Sequence, residues 1–402
     1  MRAATADQRK VNPAGRVVLL ADAAAHARFL LDALSFDVEW APRIEVVSNI
    51  ASADAVVFAP THVDATCASA AQRLRQANPR CLRILVYPDP LSLSARACDF
   101  MHQVLSRQRA SDELDDRLQR CFRLNDVLAK LGGTSGLTGL ESLPSLPSVY
   151  HEFVRVTASD VVDFAEIGNI VRHDLAMTAR IVGLANSAAF AVGTPITTIE
   201  RAVGQLGLQM VSALVTATCL FATLTDAHEA RQLEAVWVHS SRVAKLATAF
   251  AKAEGFDAEA DRAELLQAGL LHDIGEVVVM TQLPDVYRAL QRDRPDSLGE
   301  QLDRERHEFG ATHADIGACL LAYWGISART IDAVAWHNEP ELAAAGADPV
   351  ATLVLAANVF LAAHAADPLS WQASSVVDDL ERLFGLDRTA LWRQTFSAFL
   401  AV

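Results

Sequence analysis

The chain has 402 residues and carries 35 lysines and arginines against 49 aspartates and glutamates, a formal charge of −14. With 51% hydrophobic and 21% charged residues it has the apolar content of two or three folded domains, which excludes a disordered or collagen-like chain. The same acidity repels nucleic-acid phosphate and anionic lipid, and no basic patch reverses it, so neither DNA nor a membrane is an expected partner.

Short β-branched runs come first. Val17-Val18-Leu19-Leu20, Ala55-Val56-Val57-Phe58, residues 84–87 and Gln103-Val104-Leu105 read as strands. Residues 63–77 space apolar side chains at the helical period until Asn78-Pro79 stops them. Strands alternating with helices predict βαβ units, so 16–109 is read as a small doubly wound α/β domain with a parallel sheet. A helix is predicted over 111–131, with Ser111 as its cap and Asp112, Glu113, Asp115 and Asp116 in its first turn. Leu114, Leu118, Cys121, Phe122 and Leu128 form its apolar stripe. That stripe suits either packing on the helix's own sheet or joining two chains as a homodimer. Gly132-Gly133-Thr134-Ser135-Gly136 follows as a flexible joint within a connecting segment, 110–142.

From residue 143 onward the pattern is helical, with apolar periodicity over 160–173, 175–185, 199–206, 210–224 and 233–253. The expected architecture is therefore α/β followed by all-α. The apolar stretches 211–224 and 350–363 fall short of the roughly 20 residues a bilayer needs and read as core helices. Residues 1–15 show no apolar run ending in a cleavage site. The six cysteines (Cys67, Cys81, Cys98, Cys121, Cys219, Cys319) form no C-x-x-C pair, so the expected compartment is the reducing cytoplasm.

The chemistry concentrates in the helical part. His239 lies inside a helix, His272-Asp273-Ile274-Gly275-Glu276 ends a second with Gly275 as its stop, His313 opens a third and His337 closes a fourth. Imidazoles with a carboxylate are the donors that hold a divalent metal, so His239, His272, Asp273, His313 and His337 are the candidate ligands. For His272 and Asp273 the alternative is a buried hydrogen-bonded pair fixing one helix end on another. His151, His173 and His307 sit among charged neighbours and read as surface. No phosphate-cradling Gly-x-x-x-x-Gly-Lys loop and no Gly-x-Ser-x-Gly elbow occurs, so no catalytic nucleophile or nucleotide cofactor is assigned.

The N-terminal pattern resembles the receiver domain of bacterial response regulators, which the resemblance implies should carry an acidic pair, a phospho-accepting aspartate, a hydroxyl and a lysine at its strand ends. Here only Asp22 follows the first strand, Ala59 stands at the acceptor position, Val86-Tyr87-Pro88 lacks the hydroxyl, and 102–106 shows no lysine. The resemblance therefore implies a degenerate receiver that survives as an interaction module. Leu143-Pro144-Ser145-Leu146-Pro147, the run Ile170-Val171-Arg172-His173-Asp174-Leu175, Leu184-Ala185-Asn186-Ser187 and Ile199-Glu200-Arg201-Ala202-Val203 together resemble the HDOD domain, the HD-related output domain of bacterial signalling proteins, over 143–340. Residues 341–402 form a helical extension whose Trp392, Phe396 and Phe399 are expected to pack back on it.

In HD-type enzymes the metal activates water against a phosphoester. Against that pattern, Asn358 stands where a carboxylate is expected. Asn338 stands where phosphodiesterases of the HD-GYP type carry a second histidine, Glu276 replaces a lysine, and no Gly-Tyr-Pro follows. The resemblance thus implies a signalling regulator that binds signalling proteins without turnover. The alternative is a phosphohydrolase acting on a phosphoester or nucleotide with iron, manganese, zinc or magnesium.

Overall fold

The structure, a computed structural model, describes residues 16–42, 52–63, 65–78, 81–88, 101–131, 164–172, 175–186, 196–223, 230–256, 258–292, 298–346, 348–366 and 375–401, with isolated positions between them. The chain divides into two units, Met1–Asp126 and Val127–Val402.

The first unit runs β1 (Val17–Leu20), α1 (Ala24–Leu31), β2 (Val38–Ala41), β3 (Ala55–Phe58), α2 (Ala65–Ala77), β4 (Leu82–Tyr87), β5 (Gln103–Ser106) and α3 (Arg107–Leu131). All strand pairs are parallel, in the order β2-β1-β3-β4-β5. β1, β3 and β4 are buried along their whole length. Helices on both faces of a parallel sheet require this, and it is why these strands read as unbroken apolar runs. β2 was not expected. It is an edge strand with Glu39 and Trp40 exposed, so burial does not stamp an apolar run on its sequence.

α3 starts at Arg107, four residues before Ser111, so Ser111 lies inside the helix and not at its cap. Ser106 takes that role, its Oγ accepting the Arg109 N–H at 3.3 Å. Leu114, Leu118, Cys121 and Phe122 are buried. Phe122 meets Phe36 edge to face at 5.3 Å, and Asp115 accepts from the N–H and hydroxyl of Ser35 at 2.6 and 2.7 Å. The first half of the helix thus packs on its own unit. Leu128's side chain and Gly132–Gly136 lie outside the described residues, as do Leu143–Pro147, Cys98, His151 and His173.

The second unit is helical among the described residues: α4 (Phe164–Arg172), α5 (Leu175–Ala185), α6 (Ile199–Leu206), α7 (Leu208–Thr223), α8 (Ala230–Ala253), α9 (Glu259–Leu271), α10 (Ile274–Gln282), α11 (Pro284–Arg292), α12 (Leu298–Phe309), α13 (His313–Tyr323), α14 (Ala328–Trp336), α15 (Pro340–Gly346), α16 (Pro349–Ala366), α17 (Ser375–Phe384) and α18 (Leu386–Leu400). α16 is its axis. Its side chains are apolar on every side because neighbours surround it, which is why no amphipathic stripe marks it. It is the one described helix long and apolar enough to cross a membrane, and 61% of it is buried inside the unit. Phe250, Trp392 and Phe396 pack against it around its own Phe360, so the last two helices close the core. Glu254 fastens α18, accepting from Trp392 Nε1 at 2.7 Å and from Arg388 at 2.7 and 2.9 Å.

Candidate metal centre

All five predicted ligands meet at one place. His239 projects from α8, His272 caps the end of α9, Asp273 precedes the first residue of α10, His313 is the first residue of α13 and His337 caps the end of α14. Neighbours in a continuous helix diverge by about 100°. His272 and Asp273 converge because the α9–α10 junction falls between them, with Asp273 at φ −99° and ψ 16°. Gly275 is not the helix stop its sequence context suggested. It lies inside α10, where an added Cβ would collide with the His313 carbonyl and the Gly317 nitrogen. This backbone contact between α10 and α13 carries Asp273 up to His313.

Two triads share Asp273: His239, His272 and Asp273, and Asp273, His313 and His337, each with ligand atoms within 4.8 Å of one another. Asp273 Oδ2 lies 3.1 Å from His272 Nε2 and 3.6 Å from His239 Nε2, while Oδ1 lies 3.3 Å from His337 Nε2 and 3.6 Å from His313 Nε2. The outer ring nitrogens are committed. Nδ1 of His272 faces the Gly269 carbonyl at 2.8 Å, Nδ1 of His337 faces the Val334 carbonyl at 2.7 Å, and Nδ1 of His313 faces Glu305 Oε2 at 2.7 Å. A ring nitrogen that faces an acceptor carries the hydrogen, so in the neutral ring Nε2 points its lone pair inward, the arrangement that orients metal ligands.

His272 Nε2 decides whether a cation fits. It is fully buried and has no hydrogen-bond partner among the described residues, and its nearest polar neighbour is another acceptor, Asp273 Oδ2. Two acceptors facing each other in a buried space are repulsive until a positive charge stands between them, so the donor set fits a divalent metal. Burial works against charge at Asp273, but the surrounding imidazoles, when protonated, outweigh it and hold the carboxyl well below its usual range. Burial likewise disfavours a charged His313, yet Glu305 and Asp273 overcome it and raise its pKa to about 9. For His337 burial dominates and lowers the pKa to about 4. His239, with a third of its side chain exposed, gives the centre its open side.

Two amides complete the cluster. Asn358 Oδ1 lies 3.1 Å from His239 Nε2, and Asn358 Nδ2 donates to Asn338 Oδ1 at 3.3 Å. Asn338 Nδ2 then lies 2.8 Å from His337 Nε2 and 3.2 Å from His313 Nε2. Glu276 turns away from the metal ligands, accepting from Tyr287 Oη at 3.0 Å and Gln291 Nε2 at 3.4 Å. Glu305, which orients His313, escaped the sequence reading because its run Arg304-Glu305-Arg306-His307-Glu308 looks like a solvated helix face. Only Glu305 of that run is buried, and His307 is exposed as expected.

The strand ends of the first unit are chemically quiet. Ala59 follows β3 at the acceptor position, and the Asp22 carboxylate is taken by Thr61, whose N–H donates at 2.9 Å and whose hydroxyl donates at 2.6 Å. Arg107, which follows β5 where no lysine was found, lines the small pocket beside Ala59 and stacks over Phe29 at 5.2 Å.

Residues 143–340 match the HDOD domain family. An uncharacterized protein from Treponema pallidum (strain Nichols) is 27% identical over 213 residues, which are 52% of this chain and 40% of that protein, so the match spans less than half of the relative's length. Among solved structures, a provisionally named phosphohydrolase from Shewanella amazonensis SB2B is 24% identical, with 67% of this chain and 94% of that one covered at a TM-score of 0.49. An HDOD domain protein with unknown function from Geobacter sulfurreducens is 20% identical, covering 72% of this chain and 96% of its own at a TM-score of 0.48.

Proposed function

Taking the HDOD domain at residues 143–340 as its premise, we propose that this chain is a bacterial signal-transduction regulator that works by binding partner proteins, not by turning over a substrate. The observation that carries this reading is the substitution of amides at two points of the metal centre. Hydrolysis of a phosphoester needs a metal-activated water and a positive surface for the transition-state charge. Asn358 brings a neutral oxygen where a carboxylate is expected, Asn338 blocks imidazole lone pairs, and Glu276, turned to Tyr287, leaves no cation where a lysine is expected. A metal held by His239, His272 and Asp273 would supply Lewis acidity and bind α8 to the α9–α10 junction.

The first unit fits the same role. Its parallel order 2-1-3-4-5 is that of doubly wound domains such as receivers, but Ala59 cannot accept a phosphoryl group and Asp22 is already engaged. On this reading it passes signals by contact in the cytoplasm, with signalling proteins and a second copy of the chain along α3 as its partners.

The second reading, a metal-dependent phosphohydrolase, is favoured by the convergence of all five ligands with one open side at His239. The two separate in one assay. Metal-loaded full-length protein is incubated with bis-p-nitrophenyl phosphate and with cyclic dinucleotides, beside a His272→Ala, Asp273→Ala double variant. The expected result is no release above the variant. Turnover that the double variant lacks would establish the hydrolase.

A further inference from the structure

The two halves of the metal centre are not equivalent, and the difference lies in the amide relay. We propose that Asn338 closes the His313–His337 half to metal, so that the chain takes one divalent cation, at His239, His272, Asp273 and the Asn358 carbonyl oxygen. This rests on the metal-binding part of the reading above and is independent of whether the protein turns anything over.

An imidazole nitrogen has a single lone pair in the plane of the ring, so one that accepts a hydrogen bond has none left for a metal. In the closed half, Asn338 Nδ2, His337 Nε2 and His313 Nε2 form a triangle with sides of 2.8, 3.2 and 3.2 Å. An amide nitrogen carries two hydrogens, one for each ring. Turning Asn338 alone would set its NH2 against the NH2 of Asn358, because Asn338 Oδ1 accepts from Asn358 Nδ2. Two donor hydrogens therefore stand where a cation would have to draw on the same two nitrogens.

The other half is arranged oppositely. His272 Nε2 is buried with no hydrogen-bond partner, 3.1 Å from Asp273 Oδ2. Because Asn358 spends its NH2 on Asn338, its carbonyl oxygen faces His239 Nε2 at 3.1 Å and accepts that ring's hydrogen in the metal-free chain; an imidazole hydrogen can pass to the other ring nitrogen as a cation enters, whereas the Asn338 NH2 keeps both of its hydrogens. One relay of two side chains closes one half and supplies an oxygen ligand to the other. The resulting donors are two imidazole nitrogens, one carboxylate oxygen and one neutral oxygen, a set suited to zinc, manganese or iron(II).

The test is metal stoichiometry. Full-length protein is stripped with a chelator, titrated with Zn²⁺ by calorimetry, and checked by elemental analysis after dialysis. The wild-type chain is expected to bind one equivalent. Asn338→Asp, which keeps the shape but removes the donors, is expected to bind two, and Asn338→Ser the same should the buried charge unfold the first variant. His272→Ala is expected to bind none, His337→Ala still one, and Asn358→Asp one with affinity raised about tenfold. Two equivalents in the wild type, or a single one lost in His337→Ala and kept in His272→Ala, overturns the assignment. No zinc bound at all overturns it together with the metal reading. Phosphoester turnover by a protein holding one zinc overturns the function proposed above and leaves this assignment standing.

Discussion

The two units bury histidine in opposite ways. In the α/β unit His102 is buried between β4 and β5, where Nδ1 accepts the Arg83 N–H at 3.0 Å and Nε2 faces the Arg83 guanidinium at 2.6 Å. One neighbour occupies both ring nitrogens, and burial first and Arg83 second push the pKa well below the usual value. In the helical unit His272 gives only Nδ1 to the chain around it and turns an unpartnered Nε2 toward the cluster. Both are buried imidazoles, but only the second kind has a lone pair available for something else. The acids show the same contrast: Asp22 is used up by Thr61, while Asp273 faces four imidazoles.

The strongest way to break this contrast is through the backbone. Gly275→Ala would push α10 off the His313 carbonyl. The expected cost is about 3 kcal/mol or more in urea unfolding, since a backbone cannot yield as a side chain does. A comparable substitution on an open helix face, Gly204→Ala, should be neutral or mildly stabilising. Next in size, zinc at about a hundredfold over its Kd should stabilise the wild type by about 2.7 kcal/mol through linkage. That gain should vanish in His272→Ala and persist in His102→Asn. Thermal melts with and without zinc sort the two histidines directly, and a gain that vanishes in both variants would erase the contrast.

Acid sharpens it further. His102 stays neutral in the fold while its unfolded counterpart takes up a proton near pH 6.5. A depressed histidine pKa means that the unfolded state binds more protons, so this contribution is complete above about pH 6.5 and shrinks as the pH falls. Urea melts of the metal-free protein between pH 7 and 5 should lose stability that His102→Asn does not lose. The smallest effect is expected in the first unit. Ala59→Asp should take up no phosphoryl group from acetyl phosphate, because Asp22 stays engaged by Thr61; intact-mass spectrometry checks it.

What could be read in advance follows from the range of the interaction. β1, β3, α5 and α6 announce themselves through local apolar pattern, and their bounds coincide with those predicted. β2 does not, because an edge strand need not be apolar throughout. The five candidate residues, which the fold brings together, stand out in the sequence as histidines and an acid beside apolar runs such as Leu270-Leu271 and Val334-Ala335. Glu305 and the relay from Asn358 to Asn338 were not. The relay joins side chains 20 positions apart, and nothing in either stretch alone marks it. Gly275 was misread for a related reason: a glycine that lets two helices touch looks, in one dimension, like a glycine that ends one.

Asp273 is both a donor and a joint. Its carboxylate reaches the cluster from the very residue at which α9 gives way to α10, so no flexible tether separates the grip from the bend. Anything that draws on that carboxylate would draw on the main chain beneath it, so a cation taken up there would act on the angle at which two helices leave a shared corner.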